Sequence, residues 1–150
     1  MTRIPPAALT LGLAGLIPFL WSAATTLSPA LAGWAGGWLP PMFIGAYVGL
    51  TYGTVILSFM SGVLWGFAAK AEGRAATIGY VLSVLPALWV FLMVTDASVT
   101  SQIYLAAGFA GLLLLDATFT AQGLAPPWWM RLRLVLTGVV LACLAVPILT

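Results

Sequence analysis

The chain has 150 residues, 63% hydrophobic and 5% charged, with five basic side chains, three acidic ones, one cysteine and no histidine. A soluble domain of this size carries roughly a quarter of its residues as charges, so a water-soluble globule, a disordered segment and a nucleic-acid binder are excluded. The net charge of +2 rests on too few residues to indicate acidic partners, and the lone Cys143 cannot close an internal disulfide.

A hydrocarbon core of ~30 Å takes about 20 apolar residues in a helix. Five stretches qualify, at residues 6–27, 42–69, 75–95, 99–120 and 128–149. They predict an all-α integral membrane protein, a single domain folded as one bundle of five transmembrane helices.

The first span opens with Pro5-Pro6 and contains Pro18, where a kink is expected. Arg3, the apolar run and Ala30-Leu31-Ala32 imitate a signal peptide. The run is long for that purpose and opens on prolines, so a retained helix is expected. Residues 28–41 hold three prolines and three glycines, which break the helix. Trp34 and Trp38 lie one helical turn apart in this loop, as on a short interfacial helix anchored in the headgroups.

The second span is the longest, about 28 residues or ~42 Å, and is expected to tilt or to project from the hydrocarbon. Gly45, Gly49 and Gly53 form one small-residue stripe along it, and Ser58, Gly62 and Gly66 form another. Helices in lipid associate through small residues, so two stripes predict a central helix contacted on two sides. Gly12 and Gly15, Gly79 and Ser83, and Gly108 and Gly111 offer matching patches on the other spans. Tyr47, Tyr52 and Thr54 need hydrogen-bond partners if buried. Pro86 should kink the third span.

Asp96 reads as a helix cap or loop charge, and Glu72 as a solvated partner for Lys70 or Arg74. Asp116, about one turn before the end of the fourth span, is an ionisable residue inside the membrane and so demands a partner. Across the 121–127 turn, Arg133 arrives at nearly the same depth. Residues two apart face nearly opposite sides of a helix, so Arg133 is expected to pair with Asp116 while Arg131 snorkels outward. Trp128 and Trp129 read as interface anchors.

Arg3, Lys70, Arg74, Arg131 and Arg133 all fall on one side of an alternating five-span topology, with none on the other. That bias predicts a cytoplasmic N-terminus and a periplasmic C-terminus. Catalytic chemistry is poorly provided for. Without histidine there is no ordinary haem or zinc ligand set and no imidazole acid–base chemistry. Cys143 sits in apolar surroundings, and the glycines lack the strand–turn–helix context of a phosphate loop. No enzyme, no cofactor and no metal are expected.

Residues 4–9, Ile-Pro-Pro-Ala-Ala-Leu, running on through Gly12, Gly15 and Pro18-Phe19, together with Tyr52-Gly53, Ile56-Leu57-Ser58-Phe59, Gly62 and Trp65-Gly66, form two recognisable signatures. Asp116, followed by Pro127-Trp128 or Trp129, Leu132-Arg133 and Leu136-Thr137, forms a third. In combination they resemble the transmembrane-protein-69-like family of small multi-span proteins. The resemblance covers nearly the whole chain and implies a bacterial cytoplasmic or mitochondrial inner membrane, with no established reaction or cofactor. The expected function is a non-catalytic subunit or assembly factor of a larger inner-membrane complex, a respiratory one in the setting the resemblance implies. Its partners would be other membrane-protein subunits and lipid. The alternative is a small transporter or a lipid- or quinone-binding protein using a cavity among Tyr47, Tyr52, Ser58, Trp65 and the Asp116–Arg133 pair.

Overall fold

The computed structural model describes residues 3–150. It contains seven α-helices: α1 (Pro6–Ala14), α2 (Ile17–Leu27), α3 (Pro29–Ala35), α4 (Ala46–Ala68), α5 (Gly73–Met93), α6 (Val99–Ala121) and α7 (Trp129–Leu149). Among the described residues there is no strand. Five segments are long and apolar enough to cross a membrane, the first of them Pro6–Leu27, which comprises α1 and α2.

That first span is interrupted just before Pro18, at Gly15 and Leu16, whose backbone still keeps helical dihedrals. The amides of Gly15 and Leu16 close onto the carbonyls of Leu11 and Leu13, ending α1. Pro18 then occupies the first turn of α2, where its missing N–H costs nothing. Pro86, in contrast, lies inside α5. It has no amide hydrogen, and the N–H of Ala87 beside it donates to Ser61 Oγ of α4 at 2.9 Å. A polar side chain on a neighbouring helix thus serves the backbone next to the proline.

The second span is shorter than the sequence suggests. α4 has 23 residues, not 28, or ~35 Å at 1.5 Å per residue, so excess length gives no reason for tilt. Pro41–Phe43 form a 3-10 turn instead, and Gly45 takes φ 75 and ψ −160, a conformation open essentially to glycine alone. Two side chains of α2 hold this junction. Thr25 Oγ1 accepts from Gly45 N–H at 2.8 Å. Ser22 Oγ donates to Gly45 O at 2.9 Å and accepts from Gly49 N–H at 3.1 Å. The start of α4, which has no cap of its own, is therefore capped from a different helix.

α4 is the hub, packed on α2, α5, α6 and α7, while α6 and α7 form a second close hairpin. Phe19, Leu57, Leu64, Leu105, Phe109, Leu112, Phe119 and Leu144 are fully buried between them. Lys70 Nζ donates to Leu124 O at 3.2 Å, placing the 69–72 and 122–128 connections at one end. Gln102 Nε2 donates to Ala46 O at 3.1 Å, which joins the starts of α4 and α6 at the other. Gly12 packs against Leu132 and Leu136, laying α1 along the beginning of α7. The basic residues Arg3, Lys70, Arg74, Arg131 and Arg133 accordingly gather toward one end of the bundle.

Candidate functional site

Asp116 is fully buried on α6, and both of its carboxylate oxygens have protein partners. Arg133 Nε donates to Oδ2 at 2.7 Å, and Trp129 Nε1 donates to Oδ1 at 2.8 Å. Trp129 and Arg133 are four residues apart, so one face of α7 presents both donors to one carboxylate. Arg131 is exposed, as expected of the residue on the other face. Trp129, half-buried, therefore turns its indole N–H inward to Asp116. Its ring also packs edge-on against Phe67 at 5.1 Å. The spacing to Arg133 was the signal for this role; depth along the helix alone does not reveal it. Trp128 is half-buried beside it, whereas Trp34 and Trp38 are exposed and packed edge to face at 5.2 Å.

The glycine stripes divide. A Cβ on Gly49 would come within 2.8 Å of Ser22 Oγ, and one on Gly53 within 2.7 Å of Leu105 Cδ2, so these two sit in tight helix contacts. Gly108 meets Leu57 and Trp89 as closely, and Gly79 meets Ala68. Gly45 has open space around it and serves the backbone turn instead. Gly62 and Gly66 also face open space, and Ser58 is exposed, its hydroxyl spent on Thr54 O. Among the described residues nothing packs onto Gly62 or Gly66, and α4 reaches its neighbours through other positions.

Other charges differ from expectation. Lys70 binds a backbone carbonyl and lies over the Phe67 ring. Glu72 is exposed and pairs with neither Lys70 nor Arg74; among the described residues the salt bridge is Asp116–Arg133. Asp96 receives bonds from Ser98 N–H, Ser98 Oγ and Ser101 Oγ. These hold its carboxyl below the usual range, the Ser98 hydroxyl contributing most. Ser98 in turn caps α6 by accepting from Ser101 N–H.

Beside the ion pair is a cavity of about 320 Å³, lined mainly by α1, α2, α4 and α7. Its wall is apolar except for Tyr52, Arg133 and Thr137. Exposed Leu11 and Phe59 stand at its mouth on the outer face of the bundle. α1 contributes Gly12 and the break between α1 and α2 contributes Gly15 and Leu16, and a Cβ on Gly15 would sit 3.7 Å from the Tyr52 hydroxyl. Of the residues expected around such a cavity, Tyr52 and Arg133 line it. Tyr47 lines a separate depression near Asp96. Trp65 is exposed and packs on Tyr80 at 4.5 Å. Among the described residues no cluster of His, Cys, Asp or Glu could hold a metal ion.

The family profile described as "Protein of unknown function (DUF3429)" matches residues 4–149. The chain belongs to the DUF3429 family. It is also 34% identical over 139 residues to "Transmembrane protein 69" of Xenopus tropicalis, an alignment covering 90% of this chain and 51% of that protein. The chain thus spans about half the length of that relative. No solved structure matches. In this DUF3429 chain the three signature segments, around Gly12–Phe19, Tyr52–Phe59 and Arg133–Thr137, converge on the cavity, with Asp116 joined to it through Arg133.

Proposed function

We propose that the protein is a non-catalytic subunit, or an assembly and stability factor, of a larger inner-membrane complex of the respiratory type, such as cytochrome oxidase or a supercomplex. It would sit in a bacterial cytoplasmic membrane with its N-terminus in the cytoplasm. The observation that supports this reading is the outward stripe of α4. Ser58, Gly62 and Gly66 form a small-residue face with open space beyond it, and small residues are what let a second helix approach closely in lipid. The gathering of the basic side chains at one end supports the orientation. With no histidine in the chain, imidazole acid–base chemistry and the common haem and zinc ligand sets have nothing to build on.

Purification in mild detergent followed by mass spectrometry tests the reading. Subunits of a respiratory complex should accompany the wild-type chain. They should be lost from a Gly62→Leu/Gly66→Leu variant that still folds, because bulk on that face blocks docking without touching the bundle's own contacts. Recovery only as a monomer or homo-oligomer, with respiratory complexes assembling normally in its absence, overturns it.

A further inference from the structure

We infer that the cavity between α1, α2, α4 and α7 is a binding site for a neutral, carbonyl-bearing lipophilic molecule, whose oxygen is received by Arg133, Thr137 and Tyr52. The site is separate from the outward stripe of α4 and does not depend on a partner subunit.

Three buried side-chain atoms lack a hydrogen-bond partner among the described residues: Gln102 Oε1, Arg133 Nη2 and Thr137 Oγ1. Two of these belong to residues that line the cavity. Arg133 is 5% exposed and Thr137 1%, so neither draws on solvent. An orphaned polar group in an apolar surrounding is costly, and here two belong to residues that line one cavity, so a side-chain rotation toward it lets a bond be completed from outside. Thr137 is also unlike the other buried or half-buried helical threonines. Thr25, Thr26, Thr54 and Thr120 each donate to the carbonyl four residues back, whereas the Thr137 hydroxyl makes no such bond. Tyr52 adds a second hydroxyl, and a third polar group, to the same wall.

Charge and shape select the ligand. The Arg133 charge is already balanced by Asp116 at 2.7 Å, so the site as a whole is neutral. A carboxylate entering it would leave an uncompensated negative charge in an apolar region, whereas a carbonyl oxygen accepts the spare N–H and O–H groups with no such penalty. The volume of about 320 Å³ suits a small ring or the glycerol-ester part of a lipid, at the lower end of ligand cavities. Leu11 and Phe59 at the mouth give an attached hydrocarbon tail an apolar exit to the bilayer. Two kinds of molecule present this chemistry: a lipid-soluble quinone and an uncharged ester lipid.

The test uses the full chain, delipidated in an alkyl maltoside, with a short-chain benzoquinone, dioctanoylglycerol, decanoate and decane as probes. The benzoquinone or dioctanoylglycerol should bind, and whichever is tighter names the source. Binding should weaken at least tenfold in Thr137→Val and in Tyr52→Phe, both near-isosteric. Without ligand, Thr137→Val should melt no lower than wild type, since it removes a hydroxyl with no internal partner. The inference is overturned if decane binds as well as the carbonyl probes, if decanoate binds tightest, if both variants bind like wild type, or if Thr137→Val alone lowers the melting temperature.

Discussion

Asp116 of α6 and Arg133 of α7 meet at 2.7 Å in the interior of the bundle, with 0% and 6% of their side chains exposed. Each satisfies a charge the other could not leave alone. Removing one partner strands the other in an apolar interior, typically costing about 3–5 kcal/mol, whereas replacing both with apolar side chains of similar volume is often nearly neutral. Asp116→Leu should therefore destabilise the bundle strongly. Asp116→Leu/Arg133→Met should recover much of the loss. Unfolding by a denaturing detergent, titrated into micelles of a mild one, reads both; a double variant no better than the single refutes the pairing account.

Trp129→Phe should keep the ring packing on Phe67 and lose the indole bond to Asp116 Oδ1. A hydrogen bond to a charged group contributes about 1.5–3 kcal/mol, so the variant should fall in that range. Arg131→Gln, on the exposed side of the same turn, should stay within about 0.5 kcal/mol of wild type. The same detergent titration, run on both variants, distinguishes the inward residue from the outward one.

The glycines of α4 should separate by face. Gly49→Ala and Gly53→Ala push a methyl to within 2.8 and 2.7 Å of a neighbour, an overpacking that costs about 1–3 kcal/mol. Gly45→Ala meets no neighbour but forces alanine into φ 75, at a similar order of cost. Gly62→Ala has neither penalty and should be neutral or stabilising by up to about 1 kcal/mol through helix propensity. Melting temperatures of the four variants check the ordering.

Asp96 makes the α5–α6 connection sensitive to acid. Its carboxyl is held below 3.8 by bonds from Ser98 and Ser101. Its contribution is therefore present above that pH and lost as pH falls through the lower folded value. Hydrogen exchange at the Ser98 and Ser101 amides should quicken below about pH 3.8 while the interiors of α4 and α6 stay protected. Asp96→Asn should remove that pH dependence; an unchanged profile in the variant would assign the effect to another group.

The five spans, the short helix carrying Trp34, and the choice of Arg133 over Arg131 were all legible because the chain has so few charges and because most of its ten prolines fall at or between the ends of the spans. Each one constrains depth or continuity by itself. The faces of α4 were not legible. Gly45, Gly49 and Gly53 share one four-residue spacing with no sign that one shapes the backbone and two touch other helices. In lipid, the outside of a bundle is as apolar as its inside, so hydrophobic periodicity cannot point inward as it does in water. The capping of α4 by Ser22 and Thr25 was hidden for a related reason. A cap drawn from another helix, 20 to 27 residues away, leaves no local pattern.

The eight charged residues and the apolar runs between them determined, from the sequence alone, that this protein crosses a membrane and which end of it is basic. Both follow from transfer free energies that act residue by residue. Only the tertiary structure decided that Ser22 and Thr25 of α2 hold the start of α4. It also decided that Trp129 shares Asp116 with Arg133, and that Thr137 and Tyr52 meet at one cavity. Those outcomes depend on which helix face meets which. In a bilayer, close packing and hydrogen-bond satisfaction between helices set that choice.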